Sequence, residues 1–347
     1  MTTRKHQLLD LGGTRIHAVE EGSGPLVLLV HGFPESWYSW RHQLGALAKA
    51  GYRAVAIDQR GYGRSSKFWD PAQYRIGALV QDVVGVVKAL GEKSAVIVGH
   101  DWGAPVAWVA AWTHPEIFRA VVGVSVPFSD RGLVGLPGSP FGEVAPDRKH
   151  IEIAGPGQDF YQDYFGTLGP VINEIESDLR GWLRDAVWSL SGDALGTLGI
   201  NLDTMDPVEV IRGSAMCVPH GHRMRERFLS PQRLPGWLTE ADLDVYVGEF
   251  ERSGLSGPLS YYREMTASWN ELEPMAGKPL TVPALHISGE FDVVRGWALE
   301  TIARAPERIP QYAGTKVFAG CGHWTQQERP DEFNEALLDF LKKLPAH

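Results

Sequence analysis

Short apolar runs alternate with longer helical patterns over residues 1–128, and this alternation most restricts how the chain folds. The apolar runs are rich in Val, Ile and Leu and are separated by turn residues or by helix-like spacing of apolar positions. A repeated strand and helix pattern predicts a mostly parallel β-sheet flanked by helices. We predict strands at residues 7–11, 14–20, 26–30, 53–57, 95–98 and 120–126, and helices at 76–90 and 103–111.

The alternation stops after residue 128 and resumes near residue 270. Between these points Gly and Pro are dense around 132–146, and apolar clusters such as 182–188 predict helices joined by long loops. The last strands have no core of their own, so one interrupted sheet is favoured over two tandem domains. We expect an α/β core from residues 1–128 and 270–347 and a helical cap at 129–269, with strands at 284–288 and 315–318 and helices at 297–303 and 331–343.

Charge and hydropathy exclude several classes of protein. The net charge of −9 argues against nucleic acid as a partner, because binding phosphates requires a basic face. The apolar run at 26–30 is far too short for a membrane anchor, and residues 1–10 have no apolar export signal. We expect Cys217 and Cys321 to be reduced thiols in a cytoplasmic protein, whose oligomeric state stays open between a monomer and a homodimer.

The predicted strand at 95–98 leads into residues 99–103, Gly-His-Asp-Trp-Gly, and then directly into a helix. A Gly-x-nucleophile-x-Gly turn between a strand and a helix is a nucleophile elbow, whose small residues let a tight turn lift one side chain above the sheet. Asp101 occupies the nucleophile position, at the carboxyl end of a strand, where open α/β sheets bind ligands. The alternative role of Asp101 is an N-cap of the helix that follows.

Three further motifs follow predicted strands and converge on the same edge of the sheet. After the third strand, the N–H of Phe33 together with that of Trp102 would form an oxyanion hole, although a plain Gly-Pro turn is the alternative. His323 follows the last strand, between turn residues, and is the candidate base. Asp292 follows the preceding strand and supplies a carboxylate to orient His323, with Glu290 as the competitor. The order nucleophile, acid, histidine is that of the elbow family.

The remaining histidines and cysteines near these motifs are given supporting or structural roles. His31 and His100 flank the site, and we expect them to hold its loops through hydrogen bonds. His220 and His222 have no companion ligands, so we do not expect a metal site there. Cys321 lies on no elbow and is not expected to act as a nucleophile. We predict neither a metal nor an organic cofactor.

These motifs resemble those of the α/β-hydrolase superfamily and, within it, those of the soluble epoxide hydrolases. The resemblance covers essentially the full chain and lies in the segments HGFPESWYSWRHQL, AIDQRGYGRSS, VGHDWGAPVAWVAAWTHP and CGHWTQQERP. It implies an α/β-hydrolase fold with an inserted cap. An Asp nucleophile attacking an sp³ carbon gives an alkyl-enzyme ester, whereas attack on an ester or amide would give an anhydride, so esterase, lipase and peptidase activities are excluded.

Two groups of enzymes with an Asp elbow differ in what the leaving group needs. A halide leaves as a stable anion and needs N–H donors, whereas an epoxide oxygen leaves as an alkoxide and needs an acidic hydrogen. The haloalkane dehalogenases, which this chain resembles in part, carry Asn after His-Gly, and Phe33 cannot supply that donor. The epoxide hydrolases use two cap tyrosines. The segments DFYQDYF and LSYYRE resemble their motifs and match at Tyr161 and Tyr262, with Tyr261 as an alternative to the second.

The resemblance therefore implies a cofactor-free epoxide hydrolase that converts a lipophilic epoxide and water to a vicinal diol, with detoxification among the expected roles. Asp101 is then the nucleophile, Tyr161 and Tyr262 are the acids, and His323 with Asp292 activates water. Haloalkane dehalogenase is the alternative activity, and a non-catalytic ligand-binding receptor on the same fold is the alternative from another class. The residues expected to form the substrate-binding walls are Phe33, Pro34, Trp37 and Trp102.

Overall fold

A computed structural model describes residues 4–131 and 142–345. Within these ranges the strands are β1 (Lys5–Asp10), β2 (Arg15–Gly22), β3 (Leu26–Val30), β4 (Arg53–Ile57), β5 (Ala95–His100), β6 (Phe118–Val124), β7 (Gln158–Phe160), β8 (Cys217–Pro219), β9 (Ala284–Gly289) and β10 (Tyr312–Phe318). Eight of them form one sheet in the order β1-β2-β4-β3-β5-β6-β9-β10. β1 and β4 pair antiparallel with β2, and all other neighbours are parallel, which confirms the mostly parallel sheet predicted.

Helices cover the faces and the carboxyl edge of this sheet. In chain order they are α1 (Arg41–Lys49), α2 (Ile76–Ala89), α3 (Gly103–Thr113), α4 (Pro146–Ala154), α5 (Tyr161–Gly166), α6 (Gly169–Ser177), α7 (Leu179–Ser189), α8 (Gly192–Leu195), α9 (Pro207–Gly213), α10 (Glu240–Ser253), α11 (Ser256–Arg263), α12 (Met265–Glu271), α13 (Val293–Trp297), α14 (Leu299–Arg304), α15 (Thr325–Glu328) and α16 (Pro330–Lys342).

The sheet separates two apolar cores. Leu26, Leu28 and Val30 of β3 pack in one core with α2 and α3, whereas Val27 and Leu29 pack in the other with α1 and α16. Burial on both faces explains why this strand is a continuous apolar run in the sequence. The carboxyl ends of the parallel strands all lie at one edge, where the loops that carry the predicted site begin.

Several predicted bounds are wrong by a few residues for local reasons. The strand predicted at 120–126 runs over Phe118–Val124, because the chain turns at Ser125, whose φ is +69°. The helix predicted at 297–303 is instead two short helices, α13 and α14, divided at Ala298. Both cysteines are free, as predicted, and both are buried.

The chain between β6 and β9, which we call the insertion, adds no strand to the eight-stranded sheet in its described residues. It contains helices α4–α12 and also a small antiparallel sheet of β7 and β8, so the expectation of helices and loops alone is wrong. Phe160 pairs there with Cys217, and both are buried in a small apolar cluster of the insertion. The Gly- and Pro-rich residues 132–141, together with residues 1–3 and 346–347, lie outside the described residues.

Within residues 4–131 and 142–345 no helix combines the length and the apolar character needed to cross a bilayer.

Candidate active site

Asp101 follows β5 directly and takes a left-handed backbone conformation, with φ +49°. Residues other than glycine rarely adopt this conformation, so the surrounding packing has to hold it. A Cβ on Gly99 would lie 1.9 Å from the carbonyl oxygen of Gly103, and a Cβ on Gly103 would lie 2.1 Å from that of Val30. The two glycines therefore permit a close approach of strand, turn and helix that lifts the Asp101 carboxylate above the sheet.

The Asp101 carboxylate does not cap helix α3, so the N-cap alternative is wrong. Trp102 is the N-cap residue of α3, and its side chain makes no capping hydrogen bond. The main-chain N–H of Phe33 instead donates to Oδ1 of Asp101 over 2.7 Å. The carboxylate thus faces the loop after β3, where an oxyanion hole is predicted.

His323 lies between two carboxylates. Its Nε2 is 3.7 Å from Oδ2 of Asp101, and its Nδ1 is 3.2 Å from Oδ1 of Asp292. Asp292 is fully buried and also accepts a main-chain N–H at the start of α13. Glu290, the competing acid, accepts the N–H of Gly320 over 2.8 Å. The structure therefore brings Asp292, and not Glu290, to the imidazole.

Ser125 is a further contact of His323 that the sequence analysis missed. Its Oγ lies 3.1 Å from Nδ1 of His323, and its hydroxyl also lowers the pKa of Asp292 by hydrogen bonding to it. The residue follows β6 immediately, in a left-handed conformation. Asp101 was predicted as a site residue because it directly follows a parallel strand. Ser125 also directly follows a parallel strand, so the same sequence signal could have identified it.

The buried charges of these groups shift one another's ionisation. Burial by itself would lower the pKa of His323, but the Asp292 charge and hydrogen bonds to Asp101 and Asp292 outweigh it and raise the pKa to about 10. Burial would raise the pKa of Asp292, but the charge and hydrogen bond of His323 outweigh it and lower that pKa. These shifts favour a protonated imidazole beside the Asp292 carboxylate.

The two predicted tyrosine acids meet on the insertion side of Asp101. Tyr161 begins α5 and Tyr262 lies in α11, with ring centroids 6.1 Å apart. Burial and the negative charge of Asp101 raise the pKa of both phenols, so both hydroxyls retain their protons. Tyr261 points elsewhere, because its hydroxyl donates to the main-chain carbonyl of Arg60 over 2.9 Å.

Comparison with known proteins places this geometry in a family. A model described as the alpha/beta hydrolase fold matches residues 25–147. The chain is 54% identical to epoxide hydrolase B of Mycobacterium tuberculosis, over 97% of this chain and 98% of that relative. It is 37% identical to epoxide hydrolase A of the same organism, over 97% of each chain. A solved epoxide hydrolase from an endophytic Streptomyces superimposes with a TM-score of 0.88 and 47% identity, covering 98% of this chain and 96% of that one.

The chain belongs to the epoxide hydrolase family of the α/β hydrolases. It is an enzyme that adds water to an epoxide, as predicted from the resemblance of its motifs. Membership of this family disfavours both alternative functions considered from the sequence, haloalkane dehalogenase and non-catalytic receptor.

A small chamber of this epoxide hydrolase lies between the sheet edge and the insertion, with a cavity volume of about 60 Å³. Asp101, His323, Tyr161 and Tyr262 all line it, together with apolar side chains. The predicted wall residues Phe33 and Pro34 are among the lining residues, whereas Trp102 lies behind Tyr262, with ring centroids 5.5 Å apart. The candidate catalytic groups therefore share one enclosed and mostly apolar space.

The prediction that Trp37 forms a wall of the substrate site needs correction. Trp37 begins a short 3-10 helix, and its ring packs edge-on against His6, with centroids 5.1 Å apart. It belongs to the core with α1 and α16, away from the chamber. The error arose because Trp37 is close in sequence to Phe33, and the turn at residues 34–36 carries it away from the site.

A second cavity of the enzyme, of about 280 Å³, adjoins the first within the insertion. We call the two cavities the inner and outer chambers. The lining of the outer chamber is largely apolar and includes residues from α8 and α9. The residues that line both chambers, and so form the boundary between them, are Leu190, Met216, Phe228 and Val293.

Two histidines support the loops around the inner chamber, as predicted. Nδ1 of His31 donates to the Gly32 carbonyl, while Nε2 accepts the N–H of Gln59. The ring nitrogens of His100 bond to the carboxylate of Glu35 over 2.7 Å and to the main-chain carbonyl of His323 over 2.8 Å. Glu35 is buried and was missed by the sequence analysis, because its partners come from distant parts of the chain. His220 and His222 pair with acidic side chains of the insertion.

Proposed function

We propose that this epoxide hydrolase works through a covalent ester on Asp101. A carboxylate oxygen of Asp101 forms a bond to the less hindered epoxide carbon while the bond from that carbon to the ring oxygen breaks. The observation that carries the proposal is the position of the Asp101 carboxylate in the inner chamber, 3.7 Å from Nε2 of His323 and facing two tyrosines. At this position the Asp101 carboxylate can attack an epoxide carbon bound in the inner chamber, and His323 is close enough to act as a base on the ester that forms.

The tyrosines are the proposed acids for the first step. As the ring opens, negative charge moves from Asp101 to the epoxide oxygen, and Tyr161 and Tyr262 hydrogen-bond that oxygen until one of them transfers its proton. Both phenols are neutral before the reaction, because burial and the nearby carboxylate oppose their ionisation. The tyrosine that gives up its proton regains one from solvent.

His323 is the proposed base for the second step. Esterification removes the negative charge of Asp101, so one of the causes that raises the His323 pKa disappears and the imidazole releases its proton more readily. Neutral His323, oriented by Asp292, then takes a proton from water, and the water oxygen attacks the ester carbonyl carbon. The N–H groups of Phe33 and Trp102 stabilise the oxyanion, and the bond to the diol oxygen breaks as His323 returns the proton to that oxygen. The carboxyl proton left on Asp101 then passes to His323, which restores the starting carboxylate and the protonated imidazole.

We propose a lipophilic substrate on the basis of the two chambers. The inner chamber, at about 60 Å³, is small and contains the proposed reacting groups, whereas the adjoining outer chamber, at about 280 Å³, is larger and largely apolar. An apolar substituent on the epoxide carbon is therefore proposed to pass the boundary between the chambers and to be buried in the outer one.

We also propose that residues 1–128 and 270–347 act as the hydrolase core and residues 129–269 as the cap. This division is supported by the sheet, because its eight strands all lie outside 129–269. The cytoplasmic location and the homodimer stay predictions from the sequence.

A single turnover in heavy-oxygen water tests the ester. With enzyme in excess over epoxide, the first diol should contain no solvent oxygen, because its new oxygen comes from Asp101, and the label should appear in the peptide that contains Asp101. Solvent label in the first diol would contradict the covalent mechanism. A His323→Gln variant should accumulate the ester as a mass increase of the intact protein, and its absence would remove His323 from the second step.

A further inference from the structure

The carboxylate of Glu328, at the end of α15, is buried and accepts hydrogen bonds from main-chain N–H groups of two separate segments. Its Oε2 accepts from Gly192 over 2.8 Å and from Gly322 over 2.9 Å, and its Oε1 accepts from Trp324 over 3.0 Å. All of these donors are neutral amides. A buried carboxylate is costly unless it is well hydrogen-bonded, so this arrangement invites a functional explanation.

One of the two segments is the histidine loop, residues 319–324, which connects β10 to α15. Gly322 and Trp324 are the residues on either side of His323, so the two oxygens of Glu328 hold the main chain before and after the imidazole. The carbonyl oxygen of His323 is itself held by His100 over 2.8 Å. The backbone that carries His323 therefore has a fixed position on both sides.

The other segment comes from the insertion, at residues 187–192. Its Leu190 carbonyl accepts the N–H of His323 over 2.9 Å, and its Val187 carbonyl accepts the indole N–H of Trp324 over 2.7 Å. The two main chains are in direct contact, because a Cβ on Gly322 would lie 2.4 Å from the nitrogen of Gly192. The bonds from Glu328 complete this junction, since its Oε2 joins Gly192 to Gly322.

The position of the imidazole depends on this junction. The imidazole has to keep its Nδ1 close to Oδ1 of Asp292, now 3.2 Å away, and its Nε2 close to Oδ2 of Asp101, now 3.7 Å away. A shift of about 1 Å in such a catalytic group is enough to slow a reaction strongly. Leu190 also lines both chambers, so the segment that holds His323 is part of the proposed substrate site.

We propose that Glu328 is a positioning residue for the hydrolytic half of the reaction, in which its carboxylate ties the histidine loop to residues 187–192 and so aims His323 at the water and the ester. The inference rests on the proposed function, because in that mechanism His323 acts as a base only during hydrolysis of the ester. Opening of the epoxide by Asp101 and the tyrosines does not use the imidazole as a base. Loosening the junction should therefore slow hydrolysis of the ester and leave its formation nearly unchanged.

Burial and hydrogen bonding act in opposite directions on the ionisation of Glu328. Burial raises its pKa to about 7, although the hydrogen bonds from Gly322, Gly192 and Trp324 act in the opposite direction. The ionised carboxylate accepts from all of these donors with two charged oxygens, whereas protonation turns one oxygen into a hydroxyl, which is a weaker acceptor. In a Glu328→Gln variant an amide NH₂ replaces one oxygen, and at least one main-chain N–H loses its acceptor without a large change in side-chain volume.

The test is a measurement of the two half-reactions in Glu328→Gln. With a styrene-type oxide, rapid quenching followed by intact-protein mass gives the rate of ester formation, and diol release from the preformed ester gives the rate of hydrolysis. We expect ester formation within about twofold of wild type and hydrolysis about tenfold slower. The ester should then accumulate in the steady state, with kcat and KM falling together and kcat/KM nearly unchanged. Equal losses in both half-reactions, or no loss in hydrolysis, would overturn the proposal.

Two further variants make the result decisive. Glu335→Gln makes the same chemical change at an exposed position of α16 and should leave both rates unchanged. His323→Gln is measured in parallel. If His323→Gln does not accumulate the ester, the proposed function is wrong. If His323→Gln accumulates the ester but Glu328→Gln hydrolyses it at the wild-type rate, only the role of Glu328 is overturned. If Glu328→Gln does not fold, Glu328→Asp, whose shorter side chain cannot reach all the donors, is measured with the same expected split and the same overturning results.

Discussion

The two sides of the inner chamber are built in different ways. On the sheet side, Asp101 and His323 lie in loops that directly follow strands, and close main-chain contacts at glycines hold those loops. On the insertion side, Tyr161 and Tyr262 lie on helices α5 and α11, and their rings pack against Phe165 with centroids 5.9 and 5.0 Å away. The main chain thus fixes the sheet side, whereas ring packing fixes the insertion side.

This difference matches what each side contributes to the proposed reaction. The charged groups need a fixed arrangement, because buried charges interact strongly and a small displacement changes their ionisation. The hydroxyl groups and apolar walls act on the substrate, and they carry no charge. Outside residues 187–192, whose main chain holds His323, the insertion can therefore differ in its chamber lining without direct contact with the charged groups.

The largest effect is expected on the sheet side, from Asp101→Asn. An amide is a poor nucleophile and carries no charge, so diol formation should fall by at least about 10⁴-fold and no ester should appear in the protein mass. Asp331→Asn, at the exposed start of α16, is the control for the chemical change and should retain full activity. Residual activity above about 1% in Asp101→Asn would contradict the assignment of the nucleophile.

A smaller effect is expected on the insertion side, where two hydroxyls share one task. Tyr161→Phe and Tyr262→Phe should each slow ester formation by about 10²-fold, and the double variant should slow it further, because general-acid assistance is worth about 10²–10⁴-fold in total. Hydrolysis of the ester should change little in either single variant. The measurement is the rate of ester formation under single-turnover conditions.

Tyr261→Phe is the matched control for the tyrosine variants. It removes a hydroxyl that bonds to the main chain at Arg60, and so it should lower the free energy of unfolding without a specific loss in ester formation. If Tyr261→Phe instead slowed ester formation as strongly as Tyr262→Phe, the assignment of the second acid would be wrong.

The difference between the sheet side and the insertion side also determines which site residues could be predicted from the sequence. A strand followed by a turn residue is a local pattern, so the positions of Asp101, Asp292 and His323 could be predicted from spacing alone. A tyrosine on a helix has no comparable local signature, and Tyr161 and Tyr262 were predicted only from the resemblance to a family.

The residues that were missed or misplaced depend on which segments meet in space. Glu328 acts on Gly192, which is 136 positions away, and the bond between Glu35 and His100 spans 65 positions. Ser125 has the positional signal of a site residue but was passed over, and Trp37 was placed in the site through closeness in sequence. Periodicity predicts elements and their ends, whereas contacts between distant loops follow only from the folded chain.

The boundary between the two chambers gives the next prediction. Met216→Trp adds bulk at this boundary, so KM for an epoxide with a long apolar substituent should rise about tenfold, while KM for a small terminal epoxide should change little. Met205→Trp makes the same substitution at a half-exposed position that lines the outer chamber alone, and it should affect both substrates weakly. Equal effects of Met216→Trp on both substrates would show that the substituent does not pass this boundary.

The last prediction concerns stability and not catalysis, at the junction of the two sides, and its dependence on pH. The pKa of Glu328 is about 7 in the folded enzyme, raised by burial from 4.5, so the folded state binds this proton more tightly than the unfolded state does. The contribution of Glu328 to the free energy of unfolding should therefore decrease as pH rises from about 4.5 to about 7 and stay constant above that range, by up to about 3 kcal/mol in all. Because other groups titrate in the same range, the quantity to compare is the difference between wild type and Glu328→Gln in chemical unfolding at pH 5, 6, 7 and 8. That difference should shift in favour of the variant with rising pH, and parallel curves would mean that Glu328 is already ionised in the folded enzyme at pH 5.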